Sequence, residues 1–312
     1  MIRNIAVIGA GTMGHGIAGC FARFGYFVKI YESFAQVRDT CKEKIRRQFL
    51  FFQKHGVMDD VEAALERIDV YDNLEAAVKD ADYVIEAIPE NLELKQDLFD
   101  SLVRFCKKEA VFASNTSSLA FSKLTEKLSP EDQKRVMVCH WYNPPHLIPL
   151  VELSCFGNMP LEQYGEVEKL YHSIEKRPAK VLKDIPGLLA NRIQQGVARE
   201  AFSLMEMGAA EAKDIDIALK FGPAFRYATT GQLEVADFGG LDIWSIVGDN
   251  LLSVMDHSTQ ASPLLKEKVQ TGKLGFKSGE GFFSYPEDQR EEILEKFYEK
   301  LFRQLQTSKN YE

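Results

Sequence analysis

In "VMVCHWYNPPHLIPLVEL", His140 closes one apolar run and Glu152 lies in the next, 12 residues further on. Side chains on neighbouring strand ends can meet across such a separation. Histidine has an ordinary pKa near neutrality and can take a hydroxyl proton. A carboxylate on its other ring nitrogen fixes the tautomer and stabilises the imidazolium. Such a dyad suits oxidation of an alcohol, in which a base removes the hydroxyl proton as a hydride leaves the carbon. The plainer reading is a packed histidine, and His146, beside the prolines, competes for the role.

A second constellation, Gly9-x-Gly11-x-x-Gly14, sits in "NIAVIGAGTMGHGIA". "IAVI" reads as a strand and "HGIAGCFARFG" as an amphipathic helix. The following run, "FVKIYE", delivers Glu32 18 residues after Gly14. Gly9 permits the tight turn, Gly11 lets backbone approach a pyrophosphate, and Gly14 packs helix on strand. The helix N-terminus presents N–H groups to phosphates. A carboxylate at Glu32 accepts bonds from ribose hydroxyls and repels a 2′-phosphate, which favours NAD over NADP. An ordinary strand-to-helix turn without cofactor is the alternative.

Two more apolar runs end in polar groups. After "YVIEAIP", Glu90 and Lys95 either reach a ligand crevice or serve as a helix cap and a solvated charge. Ser114 to Ser118, in "ASNTSSL", supplies hydroxyls for a substrate oxygen, or an N-cap.

These groups need a scaffold that gathers strand ends. Short apolar runs at 5–8, 27–31, 83–87, 110–113, 136–140, 151–153 and 179–182 alternate with helical patterns. That alternation predicts an α/β fold, a Rossmann-type doubly wound parallel sheet. A helical insertion over 35–64 is expected to project from it. After "KDIPG" helical patterns dominate, at 188–208, 212–221, 241–257 and 288–306, with a possible strand at "GFFSY". The expected domains are therefore 1–186, binding NAD, and 187–312, a smaller all-α domain.

Bulk composition narrows the function classes. The 312 residues are 45% hydrophobic and 27% charged, as in ordinary globular proteins. A net charge of -8 argues against nucleic-acid partners. Five scattered cysteines form no CxxC pair and no metal-ligand spacing, which fits a reducing compartment and no metal. No apolar run approaches the ~20 residues of a membrane span, and the N-terminus does not read as a signal peptide. A cytoplasmic location, or prior removal of a targeting segment, is expected.

Taken together, "IGAGTMGHGIA", "VIEAIPENLELKQDLF", "ASNTSSL", "HWYNPP…LVEL", "PGLLANRI" and "KSGEGFFSY" resemble the 3-hydroxyacyl-CoA dehydrogenase family. The resemblance implies a helical second domain that mediates homodimerisation, with a place in fatty acid metabolism. It assigns His140 as base, Glu152 as its partner, and Ser117 with Asn191 at the substrate oxygens. Glu90, Lys95, Asn143 and Lys277 fall at cofactor-contacting positions, and Glu32 replaces the family's aspartate. The implied activity is oxidation of a short 3-hydroxyacyl-CoA, of 3-hydroxybutyryl-CoA type.

Two departures open an alternative. Trp141-Tyr142 stands where the family has two phenylalanines, and Pro149 replaces a basic residue. "NPPHLIPLVEL" looks closer to relatives acting on free hydroxy acids, such as L-gulonate, carnitine or a pyridine carboxylate. Arg226 could clamp such a carboxylate or be a capping arginine. Conversely, Lys44, Arg46, Arg47 and Lys54 could hold CoA phosphates or form a solvated face. A non-catalytic NADH-binding structural protein is the reading from another class.

Overall fold

The computed structural model describes residues 2–157 and 159–311. The chain divides into two compact units, 1–189 and 190–312.

The first unit is built on eight strands: β1 (Asn4–Ile8), β2 (Phe27–Tyr31), β3 (Ile68–Tyr71), β4 (Tyr83–Glu86), β5 (Val111–Ser114), β6 (Val136–Trp141), β7 (Leu150–Ser154) and β8 (Arg177–Val181). They form one sheet in the order β3-β2-β1-β4-β5-β6-β7-β8. The order reverses between β1 and β4, which is the switch point where doubly wound sheets bind ligands. β4, β5 and β6 are buried at every position, because helices cover both faces. Along β1 the side chains alternate, with Ile5 and Val7 in the core on one face and Ala6 and Ile8 in the core on the other.

The expectation of a doubly wound, mostly parallel sheet holds, with one antiparallel pair. β7 runs antiparallel to β6, and β8 parallel to β7. The segment between Trp141 and Leu150 is too short for a crossover connection, so the chain has to turn back on itself. β3 was not among the expected strands. Its "IDVY" carries an exposed Asp69 on the sheet's edge, so it has no continuous apolar run.

The helices of this unit are α1 (Gly14–Arg23), α2 (Ala35–Lys54), α3 (Val61–Leu65), α4 (Leu74–Val78), α5 (Leu92–Phe105), α6 (Phe121–Leu124), α7 (Pro130–Gln133) and α8 (Leu161–Ser173). The 35–64 segment does not stand clear of the body as expected. Cys41, Ile45 and Phe49 of α2 are buried in the same core as Ile17 and Phe21 of α1. Spaced at roughly one helical turn, they make α2 amphipathic, and only its outer face is solvated.

The second unit holds α9 (Ala190–Glu206), α10 (Ala212–Phe221), α11 (Pro223–Gly239), α12 (Leu241–Leu251), α13 (Pro263–Gln270) and α14 (Arg290–Ser308). Helix α11, absent from the sequence reading, is interrupted at Gly231, whose φ of 73° breaks the helical pattern. "GFFSY" forms only isolated bridges, Gly275 with Glu280 and Glu280 with Ser284, and no strand. Among the described residues, Val235 and Phe302 are this unit's only buried hydrophobics. Leu233, Phe238 and Leu241 are 83%, 81% and 63% exposed.

Candidate active site

The carboxyl ends of β1, β2, β4, β5 and β6 converge on one edge of the sheet, and each carries residues singled out above. At β1, Gly9 turns with φ 94°, and a Cβ there would meet the Ala87 carbonyl oxygen at 2.9 Å. Gly14 is still more constrained, since its Cβ would overlap the Gly9 oxygen at 1.8 Å. Gly11 differs: a Cβ there would meet nothing within 4 Å. Gly9 and Gly14 are thus glycine for the fold, whereas Gly11 opens onto space. The N-terminus of α1 has no side-chain cap and no acidic residue in its first turn, which leaves it fit for a phosphate.

Glu32, just past β2, is buried and pins this turn. Its Oε2 accepts the Ala10 N–H at 2.8 Å, and its Oε1 accepts the Phe34 N–H at 2.9 Å. Each carboxylate oxygen keeps a second lone pair for a ribose hydroxyl. Open space at Gly11, an uncapped helix end and an acid at the second strand together fit NAD, which supplies a hydride acceptor when bound.

At β4 and β5, Glu90 is not a helix cap and Lys95 is not a solvated charge. Asn91, not Glu90, caps α5, through a bond from Leu94 N–H at 3.1 Å. Lys95 is 1% exposed and lies between two carboxylates, 2.6 Å from Glu86 Oε1 and 3.1 Å from Glu90 Oε2. Glu90 Oε1 in turn accepts the Thr116 and Ser118 hydroxyls and the Ser117 and Ser118 N–H groups. Although partial burial works the other way, the Thr116 hydroxyl and the Lys95 ammonium hold the Glu90 pKa down to about 2. The Ser117 loop is therefore folded around an anionic carboxylate. Glu86, absent from the sequence reading, accepts the Ser114 hydroxyl and the Ile88 N–H. Its signal was a carboxylate inside a run that is otherwise apolar.

At β6 and β7, antiparallel register makes His140 and Glu152 direct cross-strand partners. His140 Nδ1 lies 2.8 Å from Glu152 Oε2. The other oxygen, Oε1, accepts the Leu189 N–H at 2.8 Å. Glu152 is fully buried and the His140 side chain is 8% exposed. With Nδ1 donating to the carboxylate, Nε2 is left as the proton acceptor. The Tyr142 ring stands 5.1 Å from that of His140, and burial, followed by the Glu152 charge, pushes its pKa up to about 12. The phenol thus stays protonated at neutral pH.

Backbone ties join these strand ends. Asn115 N–H donates to the Glu86 carbonyl at 3.0 Å, and its side-chain oxygen accepts Trp141 N–H at 2.8 Å. Lys176, buried beneath the turn after β6, donates to the Ile148 carbonyl at 2.8 Å and to that of Pro145. His146 is no rival base: burial first, then the Lys176 and His15 charges, pull its pKa down to about 3. Asn143 is exposed on the same turn.

The remaining candidates belong to other elements. Asn191 lies in the first turn of α9, Arg226 is exposed on α11, and Lys277 is exposed in the turn before "GFFSY", all in the second unit. On α2, Arg46 pairs with Glu62 and Arg47 with Glu43, while Lys54 is exposed at the helix end. Among the described residues, no group of three or more His, Cys, Asp and Glu could hold a metal ion. Nor, among them, is any helix long and apolar enough to cross a membrane.

Comparison with known proteins joins this geometry to a family. Residues 4–185 match the NAD binding domain of 3-hydroxyacyl-CoA dehydrogenase, and 187–285 match its C-terminal domain. The 5-formyl-3-hydroxy-2-methylpyridine 4-carboxylate 5-dehydrogenase of Mesorhizobium japonicum is 34% identical over 93% of both chains. A crystal structure of an enzyme of that name, described as an NAD+ dependent dismutase, superposes with a TM-score of 0.91 at 31% identity, covering 100% of both chains. The (S)-3-hydroxybutyryl-CoA dehydrogenase PaaH1 of Ralstonia eutropha gives 0.74 at 29% identity, over 92% of this chain and 100% of that one. The chain is an NAD-dependent oxidoreductase acting on a CH–OH group, and it belongs to the 3-hydroxyacyl-CoA dehydrogenase family.

Proposed function

We propose that this enzyme oxidises the hydroxyl-bearing carbon of a small free carboxylate, with His140 as general base. The observation that carries the chemistry is the 2.8 Å bond between His140 Nδ1 and Glu152. Nε2 of His140 takes the hydroxyl proton, and Glu152 stabilises the imidazolium that forms. Ser117 and Asn191 hold the reacting oxygen, Asn143, Lys95 and Lys277 serve the cofactor, and the Tyr142 phenol offers a donor beside the base. When bound, NAD would supply the hydride acceptor.

A free acid is favoured over the CoA ester by two observations. Arg46 and Arg47, two of the four cations available for CoA phosphates, are bonded to neighbouring carboxylates. The full-length likeness to the pyridine-carboxylate dehydrogenase is also closer than that to PaaH1. Arg226 is then the residue for the substrate carboxylate. The short 3-hydroxyacyl-CoA remains the second reading, supported by the family match and by Lys44 and Lys54. NADH formation measured with 3-hydroxybutyryl-CoA beside a panel of free hydroxy acids decides: turnover of the CoA ester alone refutes the free-acid reading. We further propose a homodimer in the cytoplasm, the exposed apolar side chains of the second unit supplying the interface.

A further inference from the structure

Lys95 faces two carboxylates, so the cluster of buried Glu86 and Lys95 with the exposed Glu90 carries one uncompensated negative charge. Both acids are held as acceptors, the arrangement of the ionised form; burial raises the Glu86 pKa, and the Lys95 charge and the bonds from Lys95, Ser114 and Ile88 oppose that rise. Glu86 receives Lys95 Nζ and the Ser114 hydroxyl on one oxygen and the Ile88 N–H on the other. Glu90 receives Lys95 on one oxygen and the hydroxyls and N–H groups of the Ser117 loop on the other. Glu86 and Lys95 are 0% and 1% exposed and poorly screened, whereas the Glu90 side chain is 37% exposed and solvent screens it in part.

The position of this charge matters. Glu86 pairs in register with Ile8, the residue before Gly9. It therefore lies at the switch point, on the side away from Glu32. Were the adenosine ribose held at Glu32 and the pyrophosphate on the glycine turn, the other half of NAD would fall on the β4 and β5 side of the switch point. That half bears the nicotinamide ring, which is cationic when oxidised and neutral when reduced.

We propose that Glu86, through the net charge it gives this cluster, biases the enzyme toward binding the oxidised cofactor. A single net charge about 10 Å from a ring bound there would, at an effective dielectric near 20, change the relative affinity for the two forms by about tenfold. The proposal rests on the NAD assignment and goes beyond it, because it concerns the balance between the two forms and not the reaction itself.

The test is binding to the full-length protein, with NADH followed by fluorescence and NAD+ by displacement of NADH. Glu86→Gln and Glu90→Gln each make the cluster neutral by an independent route, so one informs if the other fails to fold. Both should raise the ratio of the NAD+ to the NADH dissociation constant by about tenfold. Lys95→Gln should lower that ratio, and Glu86→Gln combined with Lys95→Gln, which restores a single negative charge, should return it to within about twofold of the wild type. An unchanged ratio in both neutral variants, with NADH still bound, overturns the proposal. A wild-type protein that binds neither form overturns the NAD assignment as well.

Discussion

Glu152 joins His140 to Leu189: one carboxylate oxygen faces the imidazole Nδ1 and the other accepts the Leu189 N–H, each at 2.8 Å. Leu189 ends the first unit, so a single buried carboxylate ties the proposed base to the end of that unit. Its neighbour Leu188, at φ 50°, is one of the few non-glycine residues with a left-handed backbone, and its side chain is buried in the core. The geometry around Glu152 is thus held from both sides.

His140→Gln removes the base and keeps the ring's approximate volume. Turnover should fall by about 10²–10⁴-fold, the usual contribution of a general base. NADH binding, followed by fluorescence, should change less than about twofold if His140 acts only on the substrate proton. Substantial activity in this variant would remove His140 from its role.

Glu152→Gln preserves an acceptor for the Leu189 N–H but cannot stabilise an imidazolium. Turnover should drop by at least about tenfold while the melting temperature moves little. Glu152→Ala should in addition lose about 1–3 kcal/mol of stability, because the Leu189 N–H is left without its partner. Chemical denaturation of the two variants separates the effects.

Gly11→Ala and Gly14→Ala should diverge. The space at Gly11 admits a methyl group, so this variant should fold with near wild-type stability yet bind NADH weakly. Gly14→Ala drives a methyl group into the Gly9 carbonyl, and should lose several kcal/mol of stability, roughly the upper range for strained substitutions. A Gly11→Ala protein with unchanged NADH affinity would contradict the assignment of that space to the pyrophosphate.

His146 makes stability depend on pH. Unfolded, it binds a proton near the ordinary value of 6.5, and folded only near 3. Between these values the unfolded chain holds more protons, so stability is greatest above pH 6.5 and declines as the pH falls toward 3. The loss should amount to a few kcal/mol, on the order of 1.4 per pKa unit. His146→Phe, which can keep the edge-on packing against Phe52, should flatten this acid limb in denaturant titrations from pH 7 to 4. An unchanged slope would show that other groups carry it.

The second unit should not remain solvent-exposed over its apolar face. Light scattering should give twice the chain mass, and Leu233→Glu with Phe238→Glu should yield monomer or insoluble protein. A monodisperse wild-type monomer at micromolar concentration would refute the dimer.

What could be read beforehand followed physical contrast in the chain. Ile5–Ile8 and Tyr83–Ile85 are continuous apolar runs because both faces of their strands are covered, so they stood out. Ile68–Tyr71 is an edge strand with one solvated face and did not. Glu86 was hidden for a related reason, since a buried charge is only intelligible once its partner Lys95, nine residues away on a helix, is in place. The reversal at β7 was implicit in the short stretch from Tyr142 to Pro149, which no crossover could use.

Because His140 and Glu152 are aligned by the backbone ladder of β6 and β7, their alignment does not depend on the turn that joins the strands. Asn143 to Pro149 can therefore be exchanged for the corresponding turn of a relative with another substrate, and proton transfer should survive the graft. Substrate range in this scaffold is in that sense separable from its acid–base chemistry, and a library confined to that turn is a rational starting point for redirecting the enzyme.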